Sequence, residues 1–259
     1  MHPILLHLGP ITLYSYGAAM AAAFLIAVGL ASHVTQRSLR GLVPLPPAAL
    51  MDWGCWTMAG GVIGGRVVYV ALNWEVYRAQ PLEIIALWHG GLVWYGGFLG
   101  GWLAQGWYVL AHRYPFWSST DQVIPFIALG HAIGRIGCFA NGCCYGKPTA
   151  GWFGVQFPGQ AERVVPIQLV ESLLLVLLYL VLRSAQRPSV LRRPGTVFGL
   201  YLVGYGFIRW TMEWWRGDHA PAWNGWTLYQ LMSVAVVVGG VLVIAWAFRS
   251  LAHQKRLAG

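Results

Sequence analysis

The sequence predicts an all-α polytopic membrane protein of about seven transmembrane helices, with the N-terminus outside and the C-terminus cytoplasmic. Three observations predict it. Hydrophobic residues make up 57% of the 259-residue chain and charged residues only 10%, with mean hydropathy +0.56, far from the make-up of a soluble domain. Seven apolar stretches are long enough, at about 20 residues each, to cross a hydrocarbon core of roughly 30 Å as helices. Lysine and arginine fall unevenly on the loops between them.

The first span is expected near 11–34. "MHPILLHLGP" before it lacks a basic start and runs into Pro10, so no cleavable signal is expected. The second, 49–73, carries Arg66 behind "GVIGG". The third, 83–111, is overlong and glycine-rich, which predicts a tilted, kinked or partly re-entrant segment. Within it "HGGLVWYGGFLGG" repeats a ring residue followed by Gly-Gly, at His89 and at Tyr95. Those glycines permit either close helix packing or an opened backbone. The fourth, 121–141, is the weakest by hydropathy because it holds His131 and Arg135. The fifth, 166–183, opens at "PIQLVES", where Glu171 can complement a helix N-terminus. The sixth, 195–215, stacks Tyr205, Arg209 and Glu213 at four-residue spacing on one face, and the seventh covers 226–248.

Orientation follows from the basic residues. Arg37, Arg40, Arg113, Arg183, Arg187, Arg192, Arg193, Arg249, Lys255 and Arg256 fall on one side, and only Arg78, Lys147, Arg163 and Arg216 on the other. The richer side is expected in the cytoplasm, which turns loops 74–82, 142–165 and 216–225 outward. The net charge of +9 is then a topology signal with attraction to anionic membrane lipid, and no nucleic-acid site is read from it. No linker or long-period repeat divides the chain, so residues 1–259 are expected to form a single transmembrane domain.

Ionisable residues inside spans cost several kcal/mol and ask for a cavity, a partner or a ligand. Arg66, Arg135, Arg209 and nearby Arg216 lie toward the outer ends of their segments, where a lipid phosphate suits guanidinium groups. An internal Arg209–Glu213 ion pair is the plainer reading of the sixth span. His131 and Arg135 project together if their segment is helical, either as a base beside a phosphate binder or with His131 as a hydrogen-bonded structural residue. Cys138, Cys143 and Cys144 read as C-x4-C-C, which is not the spacing of a closed zinc site. No metal and no cofactor are expected; packing cysteines or a disulfide are the readings left open.

Several of these segments are similar to those of the prolipoprotein diacylglyceryl transferases, seven-span enzymes of the bacterial inner membrane. "LGPITLYSYGAAM" resembles the family's entry, with Tyr16 at its Tyr-Gly step, and "GGRVVYV" its Gly-Gly-Arg element around Arg66. "GGLVWYGGFLGG", "VPIQLVES" and "GYGFIRWTMEWWR" resemble its His-Gly-Gly, Pro-x-Gln-Leu-x-Glu and essential-arginine segments. "GRIGCFANGCCYG" resembles its signature G-R-x-G-N-F-x-N-x-E. The resemblance implies an enzyme that moves the diacylglyceryl group of phosphatidylglycerol onto the lipobox cysteine thiol of a preprolipoprotein signal peptide, forming a thioether and releasing glycerol phosphate. Arg135 and Arg209 would stabilise the leaving phosphate. Asn141, Tyr205 and Glu213 would orient them or the lipid head, with Tyr16 and Arg66 in the binding site. The protein is expected to act as a monomer.

The departures are specific. Cys138 stands where the signature has Asn and Cys143 where it has Glu, while Tyr95 aligns with the family histidine unless His89 does. A tyrosine of pKa about 10 is a poor base at neutral pH, so His131 is expected to supply the imidazole. A lipid- or signal-peptide-binding paralogue without transfer activity, and a transferase for another lipid or acceptor, are the competing readings.

Overall fold

The computed structural model describes residues 4–8, 11–39, 41–87, 90–216 and 221–258. Among the described residues the chain forms nine α-helices, with two short antiparallel hairpins added to them. Five helices are long and apolar enough to cross a membrane: α1 (Ser15–Arg37), α2 (Pro47–Leu72), α5 (Phe116–Asn141), α6 (Ile167–Ala185) and, within α9 (Leu228–Ala258), the segment Leu228–Ser250. Their outer faces expose Leu25, Ile63, Val67, Leu173 and Leu242, an arrangement that suits lipid rather than water. The helical architecture is that of a polytopic membrane protein.

Some boundaries differ from expectation. The first helix starts at Ser15, because Ile11–Tyr14 (β2) pairs with Ile4–Leu8 (β1). The third stretch is broken, as its glycines predict. A 3₁₀ turn at Pro81–Ile85 leads to Gly90 and Gly91 at φ +78° and +83°, and α4 (Trp94–Ala111) begins beyond them.

The chain divides into two compact units, residues 32–119 and residues 1–31 with 120–259. In the first, α2 and α4 run antiparallel with glycine against glycine. A Cβ on Gly64 would stand 2.3 Å from the Gly96 carbonyl oxygen, and one on Gly100 2.2 Å from that of Gly60. The two backbones therefore touch directly, as small residues allow in membrane helices.

In the second unit α5, α6 and α8 (Thr196–Glu213) share a core of Ile124, Ala128, Ala132, Leu175, Leu178, Leu182, Val197, Ile208 and Met212. Pro125 sits inside α5, where helices in lipid tolerate it. Buried Asp121 caps α8 from a distance: its carboxylate accepts the Gly195 and Phe198 amides, each at 2.8 Å. Gln186 donates to the Asp121 and Gln122 carbonyls and ties the end of α6 to the same point. At the start of α9, Thr227 and Gln230 form a reciprocal capping box, with the Gln230 amide on Thr227 Oγ1 at 3.3 Å and the Thr227 amide on Gln230 Oε1 at 2.9 Å. The segment between α5 and α6 is pinned by buried Phe157 against Phe139 and Tyr145, and by the Lys147 amide on the Trp215 carbonyl.

Candidate functional site

Three consecutive long helices of the second unit bring the polar side chains together. From α5 come His131 and Arg135, from α6 Gln168 and Glu171, and from α8 Tyr201, Tyr205, Arg209 and Glu213. Arg135 Nη2 lies 2.9 Å from Glu171 Oε1, and Arg209 Nη2 lies 3.0 Å from Glu213 Oε2. The acids' side chains are 2% and 1% exposed and the arginines' 15% and 13%, so both pairs are withdrawn from solvent while the cations keep the more open position. Thr227 Oγ1 donates to Glu213 Oε1 at 2.8 Å, and the Arg209 guanidinium stands over the Tyr229 ring at 5.0 Å. The rings of His131 and Tyr205 are 5.3 Å apart, Tyr201 stacks on Tyr205 at 5.8 Å, and the Tyr205 hydroxyl is within hydrogen-bonding range of Arg135.

Glu171 does more than complement a helix terminus: one turn into α6 it is the partner of Arg135. The sequence separation hides this pairing, whereas the Arg209–Glu213 pair is legible as an i,i+4 contact. The arginines are therefore each matched by an acid, and the remaining chemistry is in their unmatched atoms. Arg135 Nε and Arg209 Nη1 are buried without a hydrogen-bond partner, and so is Gln168 Oε1, whose own amide nitrogen donates to the Cys143 carbonyl at 2.7 Å. Buried donors are nearly always satisfied, so two guanidinium donors left over in one cluster are able to take an acceptor from outside the chain.

Asn141, at the exposed end of α5, lies in hydrogen-bonding range of the Cys143 thiol. Cys138 follows Arg135 by one turn of α5, and Cys143 and Cys144 fold back on it. The three sulfurs lie within 4.8 Å of one another. Cys144 takes a left-handed backbone, φ +61°, and Cys143 Sγ approaches the Cys138 carbonyl at 3.6 Å. Hydrogen bonds from the Cys138 and Cys143 thiols, helped by the charges of Arg135 and Arg216, hold the Cys144 thiol well below its ordinary range. Tyr16, half exposed on α1, is within electrostatic reach of this cluster and of Arg135.

Two expected site residues belong to the other unit. Arg66 is buried and donates to five carbonyls: Nε to Ile84 at 2.9 Å, and its terminal nitrogens to Glu83, Ala86, Gly90 and Gly91. Its guanidinium also lies over the rings of Tyr77 and Tyr69, at 5.2 and 5.7 Å. Arg66 thus holds the broken segment before α4 in place. Tyr95 is the second residue of α4; its side chain, and all of His89, lie outside the described residues.

Fold and site together define a polytopic membrane protein with a buried, arginine-bearing polar cluster inside its helices. Residues 3–246 match the family model described as Prolipoprotein diacylglyceryl transferase, and the chain belongs to that family. It is 33% identical to the phosphatidylglycerol–prolipoprotein diacylglyceryl transferase of Synechococcus elongatus, over 95% of this chain and 87% of that protein. It is also 33% identical to the enzyme of the same name from Vibrio cholerae, over 99% of this chain and 95% of that one.

Proposed function

We propose that this protein is a transferase that moves the diacylglyceryl group of phosphatidylglycerol to the lipobox cysteine of preprolipoproteins. The acceptor sulfur bonds to the glyceryl carbon that carries the phosphate, the C–O bond to that carbon breaks, and glycerol phosphate leaves with the electron pair. The thiol proton passes to a base, for which His131 is proposed. The observation that carries the reading is the pair of buried, partnerless donors on Arg135 and Arg209, in a chain of this family. Each arginine is oriented by its carboxylate and keeps one donor for phosphate oxygen, where charge develops as the leaving group departs.

Tyr205 and Glu213 are proposed to set the two guanidinium planes, and Tyr16, Tyr95 and Asn141 to contact lipid or signal peptide. Arg66 is proposed to serve binding through the segment it braces. With this goes the reading of residues 1–259 as one transmembrane domain of the bacterial inner membrane, monomeric, with seven crossings, the N-terminus outside and no nucleic-acid partner. The loop distribution of lysine and arginine supports the orientation. The 18 residues of α4 and of α8 reach about 27 Å at about 1.5 Å per residue, which supports crossings by these two less apolar helices.

The test is direct. Purified protein, phosphatidylglycerol and a lipobox peptide should yield a peptide heavier by one diacylglyceryl group. Lipid binding without any product across pH and lipid composition would sink the transferase in favour of a binding paralogue. His131→Gln with undiminished transfer would remove His131 as the base.

A further inference from the structure

The family pattern is most altered where the structure gathers three thiols. Sulfurs bound to one tetrahedral zinc ion at about 2.3 Å stand about 3.8 Å apart, and Cys138, Cys143 and Cys144 hold theirs within 4.8 Å of one another. All three are free thiols. A disulfide needs two sulfurs about 2.05 Å apart and would leave the third redundant, whereas an ion uses all three. Arg135 and Arg216 lie within electrostatic reach of Cys144, and Asn141 and Gln168 anchor Cys143 by its thiol and its carbonyl.

We propose that Cys138, Cys143 and Cys144 form a three-thiolate zinc site whose open fourth position receives the acceptor thiol. This role rests on the transferase reading above. Closed structural zinc sites have four protein ligands, while sites that do chemistry keep three and leave one position open. Among the described residues no fourth His, Cys, Asp or Glu joins this group. A thiol that coordinates zinc loses its proton, so the ion would deliver a thiolate next to the residue proposed to hold the phosphate, Arg135, one helical turn from Cys138. The proton leaves to the base, the sulfur lone pair attacks the glyceryl carbon, and glycerol phosphate departs. The thioether sulfur that results is a weaker ligand than the thiolate, which favours product release. Such a centre supplies what Tyr95 cannot at neutral pH.

The first measurement is metal content, independent of activity. Full-length protein purified in detergent without chelator should carry about one zinc per chain by mass spectrometry of the elements. Cys138→Ser and the double variant Cys143→Ser/Cys144→Ser should lose it while keeping their elution profile and thermal unfolding. Should those variants not fold, cobalt titrated into the wild type must produce the intense visible absorption of a tetrahedral thiolate complex. No zinc and no cobalt complex, or a loss of two protons per chain marking a disulfide, would overturn the site.

The second measurement is transfer after the ion is stripped with a chelator. A free thiol is only a few per cent thiolate at pH 7, so stripping should slow transfer by about tenfold or more. Zinc but not magnesium should restore it, and the gap should narrow toward pH 9, where the acceptor ionises unaided. Zinc bound but transfer indifferent to its removal would overturn the role given to the fourth position. Zinc bound with no transfer under any condition would instead sink the transferase reading and leave the metal site standing.

Discussion

Both compact units bury arginine among apolar helices, and they satisfy it in opposite ways. Among the described residues Arg66 has no carboxylate as a bonded partner; backbone carbonyls take all of its nitrogens and two aromatic rings flank it. Arg135 and Arg209 each pair with one carboxylate and keep a buried nitrogen without a partner. Burial of a guanidinium is therefore not in itself a sign of ligand binding. On the proposed reading, what separates a brace from a phosphate-binding group is the donor left over, and a brace cannot take an acceptor without dropping a loop.

That contrast can be broken by exchanging the cations. Arg135→Lys keeps the charge but loses the planar fork, and transfer should fall by about 100-fold or more. Thermal unfolding should shift little, because Glu171 keeps a cation. Equal transfer by this variant would end the distinction. Arg135→Ala is a poorer probe, since an uncompensated buried acid costs about 3–5 kcal/mol of stability. Arg66→Leu should show the reverse pattern. It strands five carbonyls, and a loss of about 3 kcal/mol in detergent unfolding is expected, with the residual activity per folded molecule reduced less than by Arg135→Lys.

Smaller changes sharpen the same comparison. Gly64→Val drives a side chain into the Gly96 carbonyl and should cost about 1–3 kcal/mol in unfolding experiments, without any effect specific to phosphate. Thr227→Val removes both a cap and the hydroxyl on Glu213. It should lower stability by about 1 kcal/mol and raise the KM for phosphatidylglycerol a few-fold at unchanged peptide KM.

Sequence made the membrane character legible because apolar length is a local property, and it singled out His131, Arg135, Tyr205, Arg209 and Glu213, which the fold gathers into one cluster, because polar groups in such runs stand out. Burial and polarity alone grouped Arg66 with Arg135 as candidates for a lipid phosphate, since both are lone cations in glycine-rich apolar segments. Only the fold shows that one faces a ring of carbonyls and the other a carboxylate 36 residues later in the chain. The β1–β2 hairpin escaped notice because its strands are as apolar as the helix that follows. The thiol cluster escaped for a different reason: the C-x4-C-C spacing matches no regular metal motif, and it is the helix end at Asn141 with the left-handed turn at Cys144 that closes it.

The cap that Asp121 places on α8 has a bearing on how the protein is made. The amides of Gly195 and Phe198 lie 74 and 77 residues downstream of their acceptor, so the helix that carries Tyr205 and Arg209 emerges from synthesis uncapped. It acquires its cap only on docking against a segment already inserted. Assembly is thus ordered from α5 to α8, and Arg135 and Arg209 come into one polar cluster when α8 docks rather than at insertion. A chain with Asp121→Asn would be expected to accumulate as an inserted, protease-sensitive form that matures slowly, while the molecules that complete docking work at the normal rate.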